Sequence, residues 1–287
     1  MKTPILFLIY NRPEYTRKVF EAIRIAKPEQ LFIHADGPRR DNLDDAKLCN
    51  ETRSILNQID WNCEVKTLFR EQNLGCKLGM SGGISWFFNE VDEGIILEDD
   101  CLPNRSFFGY CEVLLNKYRD NEEIMMISGS NPAVSVQIKD DYFFSNFYHI
   151  WGWATWRRSW KKFDIEISTW PKFRHGNFLE DKFPTSSSNV LFLRQMFDQI
   201  YGKPSSVWGV QWTYTCLTNN GLAILPKNNM ISNIGLVGTH KMNDKQLCLA
   251  TKEVDIRRLK HPEMIKINYD IENQLFDSSG LKALIKT

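Results

Sequence analysis

Hydrophobic positions in the first half of the chain fall into short runs separated by polar, helix-forming stretches. Ile5 to Tyr10 is an apolar run stopped by Asn11-Arg12-Pro13, a turn that launches a helix reaching about Arg24. Leu31-Phe32-Ile33 is a second buried strand, halted by Asp36-Gly37-Pro38. A polar helix over Asp45 to Gln58 follows, then a strand at Val65 to Phe69, a helical stretch at Gly82 to Asn89 and a wholly apolar strand at Gly94 to Leu97. Apolar strands alternating with helices predict an α/β fold, a mixed and mostly parallel sheet flanked by helices. The sequence contains no repeat, low-complexity tract or linker, so a single compact domain is expected.

Ligands of such sheets bind beyond the carboxyl ends of the strands. The residues at those ends are Tyr10-Asn11-Arg12, His34-Ala35-Asp36-Gly37, Arg70 with Asn73, and Glu98-Asp99-Asp100. Three adjacent carboxylates at the exit of a buried strand repel one another unless a cation or hydrogen bonds compensate. Mg²⁺ or Mn²⁺ suits them, because a hard ion of that kind commonly bridges one or two carboxylates to substrate phosphates. The ordinary alternative is a solvated acidic turn, or a cap for a helix over Ser106 to Lys117.

Charge narrows the function classes. Thirty-six basic residues stand against 35 acidic ones, a net charge of +1, which argues against a nucleic-acid footprint. The seven cysteines are scattered without a CxxC pair, as expected of reduced thiols in the cytoplasm and not of a disulfide framework or zinc site. The apolar N-terminal run is too short to span a membrane and has no signal-peptide cleavage pattern, which again points to the cytoplasm. Nine Trp imply either a broad core or a stacking surface for planar and sugar rings.

The segment Ile95-Ile96-Leu97-Glu98-Asp99-Asp100-Cys101-Leu102-Pro103-Asn104-Arg105-Ser106-Phe107-Phe108 resembles the metal-binding segment of GT-A-fold glycosyltransferases. It is most similar to the N-acetylglucosaminyltransferase I type and to bacterial family-two-like transferases, and the resemblance runs from the first strand to about His240. It implies a Rossmann-like GT-A domain over residues 1–250, with a nucleotide-binding half (1–127) and an acceptor half (128–250), and a helical extension over 251–287. It implies that Asp100 binds the metal, that Asp99 contacts the ribose or the metal shell, and that Glu98 shapes the site. The resemblance further implies that Tyr10 and Arg12 occupy positions that in such folds cradle a uracil, and Asp36 resembles the carboxylate that accepts a hydrogen bond from such a base. Arg70-Glu71-Gln72-Asn73-Leu74-Gly75 resembles an Arg-x-x-Asn-x-Gly turn near the nucleotide. Surface ion pairing for Arg70, and turn chemistry for Asp36-Gly37 and Asn73, are the plain alternatives.

In the second half, Trp151-Gly152-Trp153 resembles the Gly-x-Gly-Trp region that lines the family's sugar pocket, while Trp156 and Trp160 read as core. The loop Asn233 to His240 resembles the late glycine loop whose His contacts metal or pyrophosphate, with a structural His240 as the equal alternative. Relatives place an Asp after the first Trp of a Trp-Asp-x-x-Trp segment, as the base for the acceptor hydroxyl. Here the stretch is Trp208-Gly209-Val210-Gln211-Trp212, and Gly209 has no side chain. Asp141, Glu180 or Asp181 could take over, the acceptor could need no strong base, or the mechanism could be retaining. Trp208, Gln211 and Trp212 are assigned to the acceptor side. At the C-terminus, the spacing of Ile271, Leu275, Leu281, Leu284 and Ile285 suits core covering, with an oligomer contact or the inner face of a membrane as alternatives.

The expected function is transfer of a hexose or N-acetylhexosamine from a UDP-sugar to a glycan or lipid-linked acceptor in surface polysaccharide synthesis, with Mn²⁺ or Mg²⁺. A sugar-1-phosphate nucleotidyltransferase shares the sheet, but would carry a glycine-rich basic loop where this chain has Asn11-Arg12-Pro13-Glu14-Tyr15. Gly209 favours a third possibility, a catalytically weak or silent sugar-nucleotide or glycan binder.

Overall fold

In the computed structural model, which describes residues 1–133, 137–235 and 249–278, the first four apolar runs become β1 (Ile5–Ile9), β2 (Gln30–Ala35), β3 (Glu64–Phe69) and β4 (Glu93–Glu98). Each is followed or preceded by a helix: α1 (Pro13–Ala26), α2 (Asp45–Ser54) and α3 (Gly75–Glu90). Pro13 opens α1, where its fixed φ suits the first turn and its missing N–H costs nothing. Helix α3 begins seven residues before the position expected from hydrophobicity, because glycines at 75, 79 and 82 break up the apolar pattern of its first half. Crossover helices make the four strands mutually parallel, in the order β3-β2-β1-β4.

The rest of the sheet comes from β6 (Ile124–Ser128), β7 (Tyr142–Ser145), β8 (Trp153–Trp156) and β9 (Leu222–Pro226), giving the full order β3-β2-β1-β4-β8-β6-β9-β7. Strand β8 lies antiparallel to both β4 and β6, and β7 is antiparallel to β9, so β7 and β8 run against the other six. The sheet is therefore mixed and mostly parallel, as expected. One sheet runs through both halves of the chain. A two-stranded ribbon, β5 (Cys101–Pro103) with β10 (Ile231–Asn233), stands just beyond the end of β4.

Both faces of the sheet's central strands are covered, which is why β1, the middle of β4 and most of β6 are apolar, while the edge strand β3 is largely exposed and carries Glu64, Lys66 and Thr67. Ile5, Phe7 and Ile9 of β1 pack with Val19, Phe20 and Ile23 of α1 and with Phe107, Leu114 and Leu115 of α4 (Arg105–Lys117). Leu6 and Leu8 face the other way, into a core with Ile84 and Phe87 of α3, Trp160 of α5 (Arg157–Trp160), Trp170 of α6 (Trp170–Phe173), Leu179 of α7 (Phe178–Lys182), helix α8 (Ser187–Ile200), helix α9 (Gly209–Thr218) and a last helix, Tyr269–Ser278. Ile271 and Leu275 of that last helix are buried, so the segment covers the core as favoured. Leu281, Leu284 and Ile285 lie outside the described residues. Among the described residues, no helix is long and apolar enough to cross a membrane.

This second core corrects one expectation. Trp153, Trp208 and Trp212 are not a sugar-stacking surface, because they are buried against one another and Trp160. Their ring centroids are separated from one another or from Trp160 by 5.2 to 6.3 Å, with Trp153 and Trp208 stacked. Gln211 is buried as well. Trp156 and Trp160 are core residues as read from sequence, Trp156 donating its indole N–H to the carbonyl of Leu115.

Candidate nucleotide and metal site

Register fixes the site's frame. Leu8 pairs with Glu98 and Ile9 with Ala35, so the chain leaves β1, β2 and β4 at one edge, with β1 in the middle. Asp99 and Asp100 form the turn between β4 and β5. The possibility that they cap α4 is removed by Asn104, whose side chain accepts from the backbone N–H groups of Ser106 and Phe107.

Arg12, two residues beyond Tyr10, reaches across to this turn. Its Nε donates to Asp99 Oδ2 at 3.2 Å, its Nη2 donates to Asp99 Oδ1, and its Nη1 donates to Asp100 Oδ2 at 2.9 Å. The Asp99 side chain is 4% exposed, that of Asp100 14% and that of Arg12 27%, so the charges meet at the lip of the site. Burial works against the Arg12 charge, but the two carboxylates more than offset it and raise its pKa. Glu98 is raised, first by burial and then by Asp100 and Asp99. Burial also raises Asp99, with Arg12 opposing. Where Asp100 meets the ribbon, the Ile234 N–H donates to its carbonyl at 2.8 Å. The backbone of Gly235 then passes so close that a Cβ there would stand 2.5 Å from Asp100 Oδ2, which only glycine avoids.

Asp45 is a component that sequence reasoning missed. It is fully buried and accepts from the Tyr10 hydroxyl at 2.6 Å, Asn11 Nδ2 at 2.8 Å, Arg39 Nε at 2.6 Å and Arg39 Nη2 at 2.9 Å. These bonds, those of Arg39 first, hold its carboxyl well below the usual carboxylate range. Its only sequence signal was an acidic residue in the first turn of a helix, shared with many surface positions. Tyr10 is thereby oriented toward Asp45, and its hydroxyl is held protonated by burial and this bond.

Asp36 also differs from its expected role. Its Oδ1 accepts from the N–H groups of Gly37 and Leu74, and its Oδ2 from Asn73 Nδ2 and the N–H groups of Leu74 and Gly75. That set satisfies the orphan donors at the start of α3 and leaves little acceptor capacity for a base, so the turn-building alternative holds for Asp36 and Asn73. Arg70 lies along α3, its Nη2 3.7 Å from where a Gly82 Cβ would stand, and its buried Nε has no hydrogen-bond partner among the described residues. A shallow cleft of about 300 Å³ opens beside this turn, lined by Arg39, Arg40, Asn42, Glu71 and Gln72 among others.

The substitute bases are misplaced. Ser145 pairs with Ala223 near the start of β9, so Asn146 leaves the sheet at the amino edge. Asn146 Nδ2 donates to the carbonyl of Lys182, and Lys182 Nζ to Asn220 Oδ1, just ahead of β9. Helix α7 (Phe178–Lys182), with Glu180 and Asp181, therefore sits at the edge opposite Asp99 and Asp100. Glu180 is also paired with Arg194 at 2.7 Å. Asp141 is at the right edge but beside β7, four strands from β4 and hence about 19 Å away, where it accepts from the Lys260 N–H.

Gly209 begins α9, and a Cβ there would meet Ile150 Cδ1 at 2.7 Å. Ile150 adjoins Trp151 and Gly152, whose backbone (φ +58° at Gly152) packs on Leu97 and Ile231 below the acidic turn. The N-terminus of α9 thus points to the candidate site's edge. Trp151 is half-buried against the core, and a Cβ at Gly152 would stand 2.4 Å from Ile231 Cδ1, so only glycine fits there. His240 lies outside the described residues.

Asp99 and Asp100 already share one cation, Arg12, which is the donor chemistry a Mg²⁺ or Mn²⁺ needs when substrate phosphates and waters complete its shell. Among the described residues, no cluster of three or more His, Cys, Asp and Glu side chains that could hold a metal by themselves converges.

No protein-family model matches the chain, and no curated protein matches it. Solved structures with a similar chain trace include a UTP-bound UGPase from Acinetobacter baumannii, at TM-score 0.42 and 10% identity, covering 82% of this chain and 89% of that one. A UDP-glucose pyrophosphorylase complexed with UDP-glucose is similar at TM-score 0.40 and 14% identity, covering 82% and 94%. A cytidylyltransferase from Leptospira borgpetersenii gives TM-score 0.36 and 12% identity, covering 72% and 78%. None of these three is named as a glycosyltransferase.

Proposed function

We propose that this chain is a transferase using a nucleotide diphosphate sugar, and that it moves the sugar to a hydroxyl of a glycan or glycolipid. The observation that carries the reading is the meeting of Asp99, Asp100 and Arg12 where β1 and β4 end side by side. Carboxylates and a guanidinium at the carboxyl edge of a parallel sheet suit a diphosphate and a divalent ion. The ion, when bound, would neutralise charge building on the departing diphosphate. Arg12 offers a planar fork to phosphate oxygens, and Asp100, the more exposed of the pair, offers a carboxylate to the ion. The cleft beside Arg39 and Gln72 supplies polar groups for the base, in place of the filled carboxylate of Asp36. With Asp141, Glu180 and Asp181 away from Asp99 and Asp100 and Gly209 without a side chain, the acceptor hydroxyl either needs no strong base or is glycosylated by a retaining mechanism.

Nucleotidyl transfer is the second reading, being the activity for which proteins of similar chain trace are named. Against it stands the β1–α1 connection, which has one arginine, already bonded to Asp99 and Asp100, and no glycine to wrap a triphosphate. Calorimetry with UDP, with and without Mn²⁺, tests the shared premise in the wild type and in Asp100→Ala. Metal-dependent UDP binding lost in the variant is expected, and UDP binding indifferent to both metal and Asp100 would overturn it. Release of UDP from UDP-hexose or UDP-N-acetylhexosamine then supports sugar transfer. Pyrophosphate exchange into UTP supports nucleotidyl transfer, and neither activity leaves a binder.

A further inference from the structure

Every donor on the Arg12 guanidinium that faces the acidic turn is engaged: Nε and Nη2 with Asp99, Nη1 with Asp100 Oδ2. The remaining Asp100 oxygen, Oδ1, has Cys101 Sγ at 3.5 Å, and the Gly235 backbone stands against Oδ2. A divalent cation approaching Asp100 therefore meets a fixed positive charge first, and a guanidinium beside it would be repelled. We propose that Arg12 is an internal counter-ion that keeps divalent metal off Asp99 and Asp100 until a diphosphate draws it away, so that metal and nucleotide bind as a mutually dependent pair. The proposal rests on the nucleotide-sugar reading and says how that site loads.

Three observations make the exchange feasible. Arg12 is partly exposed and lies on the connection ahead of α1, so its side chain can swing without unfolding a strand or helix. Its new partner would be as good as the old, since phosphate oxygens match the guanidinium fork as carboxylates do. The carboxylates it leaves, Asp99 buried and Asp100 largely covered, need compensation, which favours a cation following it in. Linkage then requires reciprocity: the factor by which UDP tightens metal equals the factor by which metal tightens UDP.

The test is direct Mn²⁺ binding by electron paramagnetic resonance and calorimetry, with and without saturating UDP, on wild type, Arg12→Gln and Arg12→Lys, with Asp100→Asn as the metal-blind control. Wild type should bind Mn²⁺ weakly alone and about tenfold or more tightly with UDP. Arg12→Gln should bind Mn²⁺ alone about tenfold more tightly than wild type, and UDP should then add less than about threefold. If loss of the charge prevents Arg12→Gln from folding, Arg12→Lys decides, because it keeps a charge and loses the fork. It should bind Mn²⁺ alone more tightly than wild type, and equal or weaker binding overturns the proposal. Equal Mn²⁺ affinities in all three proteins, with the UDP effect intact, sink the counter-ion role and leave the metal reading standing. Absence of Mn²⁺ binding from all three even with UDP sinks both.

Discussion

The Tyr10 hydroxyl donates to Asp45 Oδ2 at 2.6 Å, tying the connection after β1 to the first turn of α2. Because Asn11 and Arg39 converge on the same carboxylate, Asp45 sets where the chain carrying Arg12 leaves the sheet. Asp45→Ala would strand these donors, a loss of about 1–3 kcal/mol in stability. It should also weaken UDP binding, since Arg12 is the next residue after Asn11. Urea denaturation and calorimetry check the two effects. An unchanged urea midpoint would show that the buried carboxylate is dispensable.

Helix α3 approaches β2 through glycine. A Cβ at Gly83 would stand 2.7 Å from His34 Cγ, an atom near the backbone that cannot swing aside. Gly83→Ala should cost about 1–3 kcal/mol, as overpacking does. One residue earlier, a Cβ at Gly82 has only Arg70 Nη2 within reach, at 3.7 Å. Gly82→Ala should therefore gain up to about 1 kcal/mol from helix propensity. Thermal melts of the two variants should move in opposite directions, and a shared direction would mean that the packing against His34 does not set the spacing.

The edge where chemistry gathers was legible because buried parallel strands are written as apolar runs, and the polar residues after each run must sit at one edge. That rule alone brings Arg12, Asp99 and Asp100 to the same edge. Their mutual pairing is beyond it, since pairing depends on side-chain reach across β1 and β4. Asp45 was hidden by its place in a polar helix, where a buried carboxylate and a solvated one look alike. Trp153, Trp208 and Trp212 were misread because an indole that stacks on a sugar and one that stacks on another indole have the same sequence neighbours. Glu180 and Asp181 were misplaced because the reversed direction of β7 and β8 sends the later chain to the opposite edge, and strand direction leaves no mark on hydrophobic pattern.

Gly209 offers a gain-of-function test. It is the first residue of α9, where a carboxylate meets the positive end of the helix dipole. The obstacle to a side chain is Ile150 Cδ1, the far end of a flexible chain that can turn away. Gly209→Asp should therefore fold with stability within about 1 kcal/mol of wild type. If transfer is limited by a missing base at this position, its turnover of UDP-sugar with acceptor should rise by about 10²-fold or more. A stable Gly209→Asp protein with unchanged turnover would place the base elsewhere.

Glu272 predicts a pH dependence of stability that is separate from the site. Its side chain is buried, Oε1 accepts from the Asn146 N–H at 3.1 Å, and Oε2 has no hydrogen-bond partner among the described residues. Burial pushes its carboxyl up to about 7, against the opposing bonds from Ser145 and Asn146. Below pH 4.5 Glu272 is protonated in both folded and unfolded chains and contributes no difference. As pH rises toward 7 the unfolded chain releases its proton first, so the folded state loses stability over that window and no more above it. At about 1.4 kcal/mol per pH unit, the loss is on the order of 3 kcal/mol. Glu272→Gln keeps the acceptor for Asn146 and cannot ionise, so its stability relative to wild type should improve by that amount from pH 4.5 to pH 8. Urea midpoints of both proteins across that range provide the measurement. A difference between them that stays constant with pH would mean that Glu272 is ionised in the folded protein, with a partner that offsets its burial.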